Sequence, residues 1–142
     1  VFIDLAQAII RDGEGASKFV SVVVEGALNK AEALNAAYTI SESPLVKTAL
    51  SASDPNWGRI VSAAGYAEVS FDPGRLTLRV NGIELFKNAS PVGFDAKKAS
   101  QSIRESRETL IEIDLGDGPG EIRFYTSDLT AEYVRLNADY HT

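Results

Sequence analysis

The chain alternates between two hydrophobic periods, and its elements change where one period gives way to the other. Phe2, Ala6, Ile9 and Ile10 recur at helical spacing, and Gly13 just beyond them suits the left-handed residue that ends a helix. In "KFVSVVVEG" Val20, Val22 and Val24 share one face, with Phe19 and Val23 on the other. Its β-branched content and bounding glycines predict a strand buried mostly on both sides. "NKAEALNAAYTISES" predicts a helix with Asn29 near its cap. Ser43-Pro44 opens another, "PLVKTALSA", because proline is tolerated in a first helical turn. "SDPNWGRIVSAAGYA" predicts a turn feeding a third helix that carries Trp57, Ile60, Val61 and Ala64.

After Asp72-Pro73-Gly74 the period becomes two. Leu76, Leu78 and Val80 alternate with Arg75, Thr77 and Arg79, and Asn81-Gly82 is a tight-hairpin signal that returns the chain through Ile83 and Leu85. "DAKKASQSIRES" predicts a helix with Ala96, Ala99 and Ile103 as its apolar stripe. A second hairpin is predicted from Thr109, Ile111, Ile113 and Leu115 through the turn "GDGPG" to Ile122, Phe124 and Thr126. The last helix, with Ser127 or Asp128 as its cap, carries the stripe Leu129, Tyr133, Leu136 and Tyr140. No repeat, low-complexity run or linker interrupts the pattern, so residues 1–142 are expected to form a single domain. Its expected class is α/β (α+β), a mixed, largely antiparallel sheet packed with helices rather than a doubly wound parallel fold.

Composition narrows the functions. The net charge of −6 makes nucleic acid and anionic membrane poor partners, and no apolar run is long enough to span a bilayer. With no cysteine, thiolate metal sites, disulfides and a thiol nucleophile are excluded, and a cytoplasmic setting is expected. The chain starts at Val1 and contains no methionine, so it is expected to be a trimmed version or a piece of a longer protein.

Few residues suggest chemistry. "DGEG" at 12–15 reads as a helix-ending turn with Asp12 and Glu14 in water. It also reads as a place where glycines let a ligand's ammonium approach Glu14. Adjacent carboxylates argue against a phosphate loop there. In "SDPNWGR" Trp57 is a core or interface anchor, and Arg59 is placed to hold a carboxylate, a substrate's or that of Asp54. Asn137 falls close to the apolar stripe of the last helix, where a polar side chain must find a partner. His141 is the one histidine and sits by the chain's last residue, poorly placed for a triad or a metal. No serine or threonine lies in a nucleophile elbow, and no cluster has metal-ligand spacing.

Three segments together carry more. "DLAQAIIRDGEGASKFVSVVVEGA", "SPLVKTALSASDPNWGRIVSAAGYA" and "TSDLTAEYVRLNADYHT" resemble the ornithine acetyltransferase family, also called bifunctional glutamate N-acetyltransferases, in order and over essentially the whole chain. The resemblance implies a self-processing, N-terminal-nucleophile-like protein. Its precursor cuts itself before a threonine, and that threonine then starts the β chain and passes an acetyl group from N-acetylornithine to glutamate in arginine biosynthesis. A free α-amine, with a pKa near about 8, serves as the local base. This chain would be the C-terminal part of the β chain, with no catalytic residue of its own and no activity alone. Its implied partners are the α chain, the remainder of the β chain and the two amino-acid substrates, within an oligomer and without a cofactor.

Carried across, the resemblance makes Glu14, Asn137 and Thr142 substrate-binding, and it marks two departures, Ser17 in place of threonine and His141 in place of arginine. Two alternatives stand beside it. One is a non-catalytic module of the same descent that binds an amino acid or a protein partner. The other is an amidase or aminopeptidase relative that uses water as acceptor, against which the "DGEG" and "NADYHT" blocks argue.

Overall fold

A computed structural model describes residues 2–11 and 16–138. Helix α1 (Phe2–Arg11) leads to strand β1 (Phe19–Ala27), then to helices α2 (Lys30–Glu42), α3 (Pro44–Ser51) and α4 (Trp57–Tyr66). A short turn at Pro73–Arg75 precedes β2 (Thr77–Val80), β3 (Ile83–Lys87) and β4 (Ser90–Pro91). Helix α5 (Ala96–Arg104), β5 (Glu108–Asp114), β6 (Gly120–Ser127) and α6 (Ala131–Ala138) complete the order. The strands form one sheet in the order β4-β3-β2-β5-β1-β6. Only β1 with β5 is parallel among its pairs, so the mixed, largely antiparallel sheet expected from the sequence is what forms.

Local signals start most helices. The side chain of Asn29 accepts from the N–H of Glu32, and that of Ser43 accepts from the N–H of Val46 ahead of Pro44. Asp95 caps α5 in the same way through Lys98. On α2 the buried residues are small, Ala33, Ala36 and Ala37 with Ile40, so the helix lies close to the sheet. They share one core with Val20, Val22 and Val24 of β1, Ile111 and Ile113 of β5, and Leu78 and Val80 of β2. Ala99 and Ile103 of α5 join that core. On the opposite face of β1, Phe19 and Ser21 are buried while Val23 and Glu25 are half-exposed, so burial on both sides holds for only part of the strand. Asn81 and Gly82 both take positive φ, +50° and +80°, which gives the tight hairpin between β2 and β3.

Three expectations are corrected. The largest concerns the second hairpin: β5 and β6 do not pair, because β1 lies between them, parallel to β5 and antiparallel to β6. The "GDGPG" segment is therefore a crossing over the end of β1. The N–H of Leu115 donates to Glu25 O, and that of Gly118 to Gly26 O. Gly118 and Gly120 are there for close approach: a Cβ on Gly118 would lie 2.0 Å from the carbonyl oxygen of Ala27. Second, Ile9 is 65% exposed and Ala96 is exposed, the latter because it sits at the first residue of α5, beyond the core. Third, Asp128 does not cap α6; the hydroxyl of Thr130 does, accepting from the N–H of Tyr133. Gly13 and Tyr140 lie outside the described residues, as do the side chains of Phe2 and Ala6.

Candidate functional site

The two segments that carry the predicted substrate residues meet where β1 and β6 begin and end. These strands are antiparallel neighbours, with Phe19 opposite Ser127, so the next rung outward would pair Lys18 with Asp128. There a side chain takes over from the backbone. Oδ1 of Asp128 accepts from the N–H of Ser17 at 2.8 Å and of Lys18 at 2.9 Å, and the hydroxyl of Ser17 donates to Oδ2. Asp128 is 2% exposed, and three donors satisfy its buried carboxylate. Lys18, 9% exposed, sends its ammonium to the end of α5, donating to the carbonyls of Ile103, Arg104 and Ser106. A cation against the last carbonyls of a helix meets both their unpaired lone pairs and the negative end of the helix dipole.

Both ends of this junction are tied further. The N–H of Phe19 donates to Arg107 O at 2.8 Å, which starts the ladder to β5. On the other side Leu129 donates to Lys47 O on α3, and Thr130 then caps α6. The junction thus fixes the chain three residues after Glu14 and, through Asp128, nine residues before Asn137. Glu14 and Thr142 themselves lie outside the described residues. Asn137 has a described place, on the last turn of α6, but its side chain lies outside them, as does His141. The serine at 17 keeps the hydroxyl that a threonine would bring, and that hydroxyl is in use.

The second region singled out in the sequence is structural. Trp57 stacks on Phe86 with ring centroids 5.5 Å apart and packs against the core, as an anchor should. Arg59 meets no carboxylate among the described contacts. Its guanidinium donates to Leu45 O at 2.9 Å and to the Thr48 hydroxyl, joining α4 to α3. Asp54 accepts from the side-chain amide of Asn56, whose own oxygen caps α4 through the N–H of Arg59. A cleft of about 350 Å³ lies beside this turn, lined by Asp54, Trp57 and Phe94 among others. Among the described residues no cluster of carboxylates and histidine could hold a metal, and no helix is long and apolar enough to cross a membrane.

Sequence reasoning missed Asp128 and Lys18 as fixed points. Their partners lie 85 to 111 residues away along the chain, so local spacing held no trace of them.

Comparison with known proteins places this geometry in a family. The ArgJ family model matches residues 1–142. The arginine biosynthesis bifunctional protein ArgJ of Rhodopirellula baltica is 47% identical over 142 residues, covering all of this chain and 35% of that protein. The protein of the same name from Parasynechococcus marenigrum is 49% identical over 138 residues, 97% of this chain and 34% of its own length. The chain thus spans about a third of these relatives. The crystal structure of arginine biosynthesis bifunctional protein argJ from Bacillus halodurans superposes with a TM-score of 0.93 at 40% identity, covering 96% of this chain and 64% of that one. Matched along its whole length in sequence and nearly all of it in fold, this chain belongs to the ArgJ family.

Proposed function

We propose that this chain works as the C-terminal portion of the β chain of a glutamate N-acetyltransferase, an ornithine acetyltransferase of arginine biosynthesis. The observation that carries the reading is the match, at 47% identity along the whole chain and 49% along 97% of it, to proteins named for arginine biosynthesis.

In this reading the nucleophile is a threonine in the part of the protein beyond these 142 residues, freed by self-cleavage so that its own α-amine can take the hydroxyl proton. Its oxygen attacks the acetyl carbonyl of N-acetylornithine, the amide C–N bond breaks, and ornithine leaves with a proton on its amine. The amine of glutamate then attacks the acetyl ester, forming the new amide and returning the threonine hydroxyl. Glu14 accepts from an ammonium or amide N–H of the substrate, while Asn137 and Thr142 hydrogen-bond its carboxylate. The hold of Asp128 on Ser17 and Lys18 supports that grouping, because it anchors both segments at one point. Residues 1–142 act as one domain, joined to the α chain and the rest of the β chain in a cytoplasmic oligomer. Alone they do not transfer acetyl groups.

The test is made on the full-length protein containing this sequence, by intact mass and by acetyl transfer from N-acetylornithine to labelled glutamate. Two chains, the second starting with threonine, and measurable transfer are expected. An uncut, inactive protein overturns the assignment. Glu14→Gln is expected to lower kcat/KM for N-acetylornithine at least about tenfold, the loss of one charged hydrogen bond. Unchanged kinetics would remove Glu14 from the pocket.

A further inference from the structure

We propose that Asp128 is a positioning residue for this reaction: its carboxylate holds the segment bearing Glu14 against the start of the helix bearing Asn137. The inference rests on the placing of Glu14 and Asn137 in the substrate pocket given above.

The argument begins with what the ladder lacks. β1 and β6 pair as far as Phe19 and Ser127, and beyond them the two chains must diverge, one back toward residue 14 and the other into α6. Diverging strands leave backbone N–H groups without partners, and a buried one, here that of Lys18, needs an acceptor. Asp128 supplies the acceptor, one oxygen to the N–H groups of Ser17 and Lys18 and the other to the Ser17 hydroxyl. A sheet rung would fix a strand; this one fixes the point at which two functional segments leave the sheet.

The reach is suitable. Three residues separate Ser17 from Glu14, at most about 10 Å of extended chain. Asn137 lies seven residues along the helix from Thr130, also about 10 Å of axial rise. A carboxylate anchored between the two starting points can therefore set where both side chains meet a ligand. A backbone shift of about an ångström at such an anchor is the scale on which misplacement costs catalysis.

Geometry also says which replacement should preserve the device. In Asp128→Asn the side-chain oxygen can keep both backbone N–H bonds. Its amide can donate to the Ser17 oxygen, which turns from donor to acceptor. Asp128→Ala removes all three contacts, and Ser17→Ala removes the hydroxyl contact alone.

The experiment uses steady-state kinetics of the full-length, self-processed protein with N-acetylornithine and glutamate. Asp128→Ala is expected to raise KM for N-acetylornithine at least about tenfold with kcat changed less than about threefold, and Asp128→Asn to restore KM to within about threefold. Combined with Glu14→Gln, Asp128→Ala should raise KM by less than it does alone, since the part that acts through Glu14 is already lost and only the part through Asn137 remains. The proposal is overturned if Asp128→Ala lowers the melting temperature and leaves KM unchanged. It is equally overturned if the effects of Asp128→Ala and Glu14→Gln multiply, or if Asp128→Asn fails as badly as alanine. Should Asp128→Ala not fold, Ser17→Ala decides: a KM raised about threefold or more supports the device, and an unchanged KM ends it. If Glu14→Gln itself has no effect, the pocket reading has failed, which is a separate result from a silent Asp128→Ala beside a damaging Glu14→Gln.

Discussion

Lys18 and Asp128 are charged, buried and adjacent in the fold, yet neither is satisfied by an opposite charge: backbone carbonyls take the Lys18 ammonium, and two backbone N–H groups and the Ser17 hydroxyl serve Asp128. For Lys18 this means three carbonyl acceptors, two in the last turn of α5 and that of Ser106 just beyond it. Removing the ammonium leaves the buried Ile103 carbonyl without that donor and the helix end without its counter-charge. Lys18→Met, which keeps the stem's packing, is expected to cost about 2–3 kcal/mol, combining a lost helix-terminal cation with unmet acceptors. Urea denaturation would show it as a lower midpoint with an unchanged slope; a midpoint within error of the parent would mean that water replaces the ammonium freely. Neither role was legible in the sequence, where Lys18 looks like any other surface charge and Asp128 like a helix cap. A substrate role for Glu14, Asn137 and Thr142 is proposed from family resemblance; locally, only the glycines around Glu14 hinted at a ligand. Their neighbours say "turn" and "helix end", which are common, and it is the combination of three distant blocks that is specific. Arg59 shows the reverse error. Its fork of donors suggested a ligand carboxylate, but it holds α3 to α4 through Leu45 O.

At the scale of elements, the caps at Asn29 and Ser43 were readable because a helix start is decided within four residues. The β2–β3 hairpin was readable for the same reason, since Asn81-Gly82 supplies two positive φ angles in place. The β5–β6 connection was not. Alternating apolar positions on either side of a glycine-rich turn look the same whether the strands pair or a third strand separates them. What distinguishes them is long-range, the seating of β1 between β5 and β6. The glycines then have different duties, and substitution separates them. Gly118→Ala would push a Cβ to 2.0 Å from Ala27 O, a backbone atom that cannot rotate away, and is expected to destabilise by about 3 kcal/mol or more. Gly65→Ala, on the exposed face of α4 with no atom within 4 Å of the new Cβ, is expected to stabilise by up to about 1 kcal/mol. Thermal melts of the two variants should move in opposite directions. If Gly118→Ala melts with the parent, the crossing is looser than its backbone contacts imply.

As a whole molecule, the chain has a built core and an unfinished surface. Valines of β1, isoleucines of β5 and alanines of α2 close one face of the sheet. Its accessible surface is 8015 Å², whereas a monomer of its mass is expected to expose about 7,100 Å². Part of the excess is apolar. Ile3, Leu5 and Ile9 of α1 and Leu45 beside α4 are more than half exposed, and Tyr66 is 83% exposed. The sheet's two ends also differ. β4 is a two-residue strand containing Pro91, a blunt edge, but β6 is eight residues long and, among the described residues, has β1 as its one strand neighbour. A long strand edge near exposed isoleucines invites another chain, and the relatives are about three times as long as this one, leaving much polypeptide to provide it. The 142-residue chain made alone should therefore self-associate. Sedimentation velocity at tens of micromolar is expected to show dimers or larger species that grow with concentration, while the full-length protein gives one defined assembly. A monomer across that range would mean that the exposed α1 face and the β6 edge are tolerated by water as they stand. The extra surface would then be no sign of a missing neighbour.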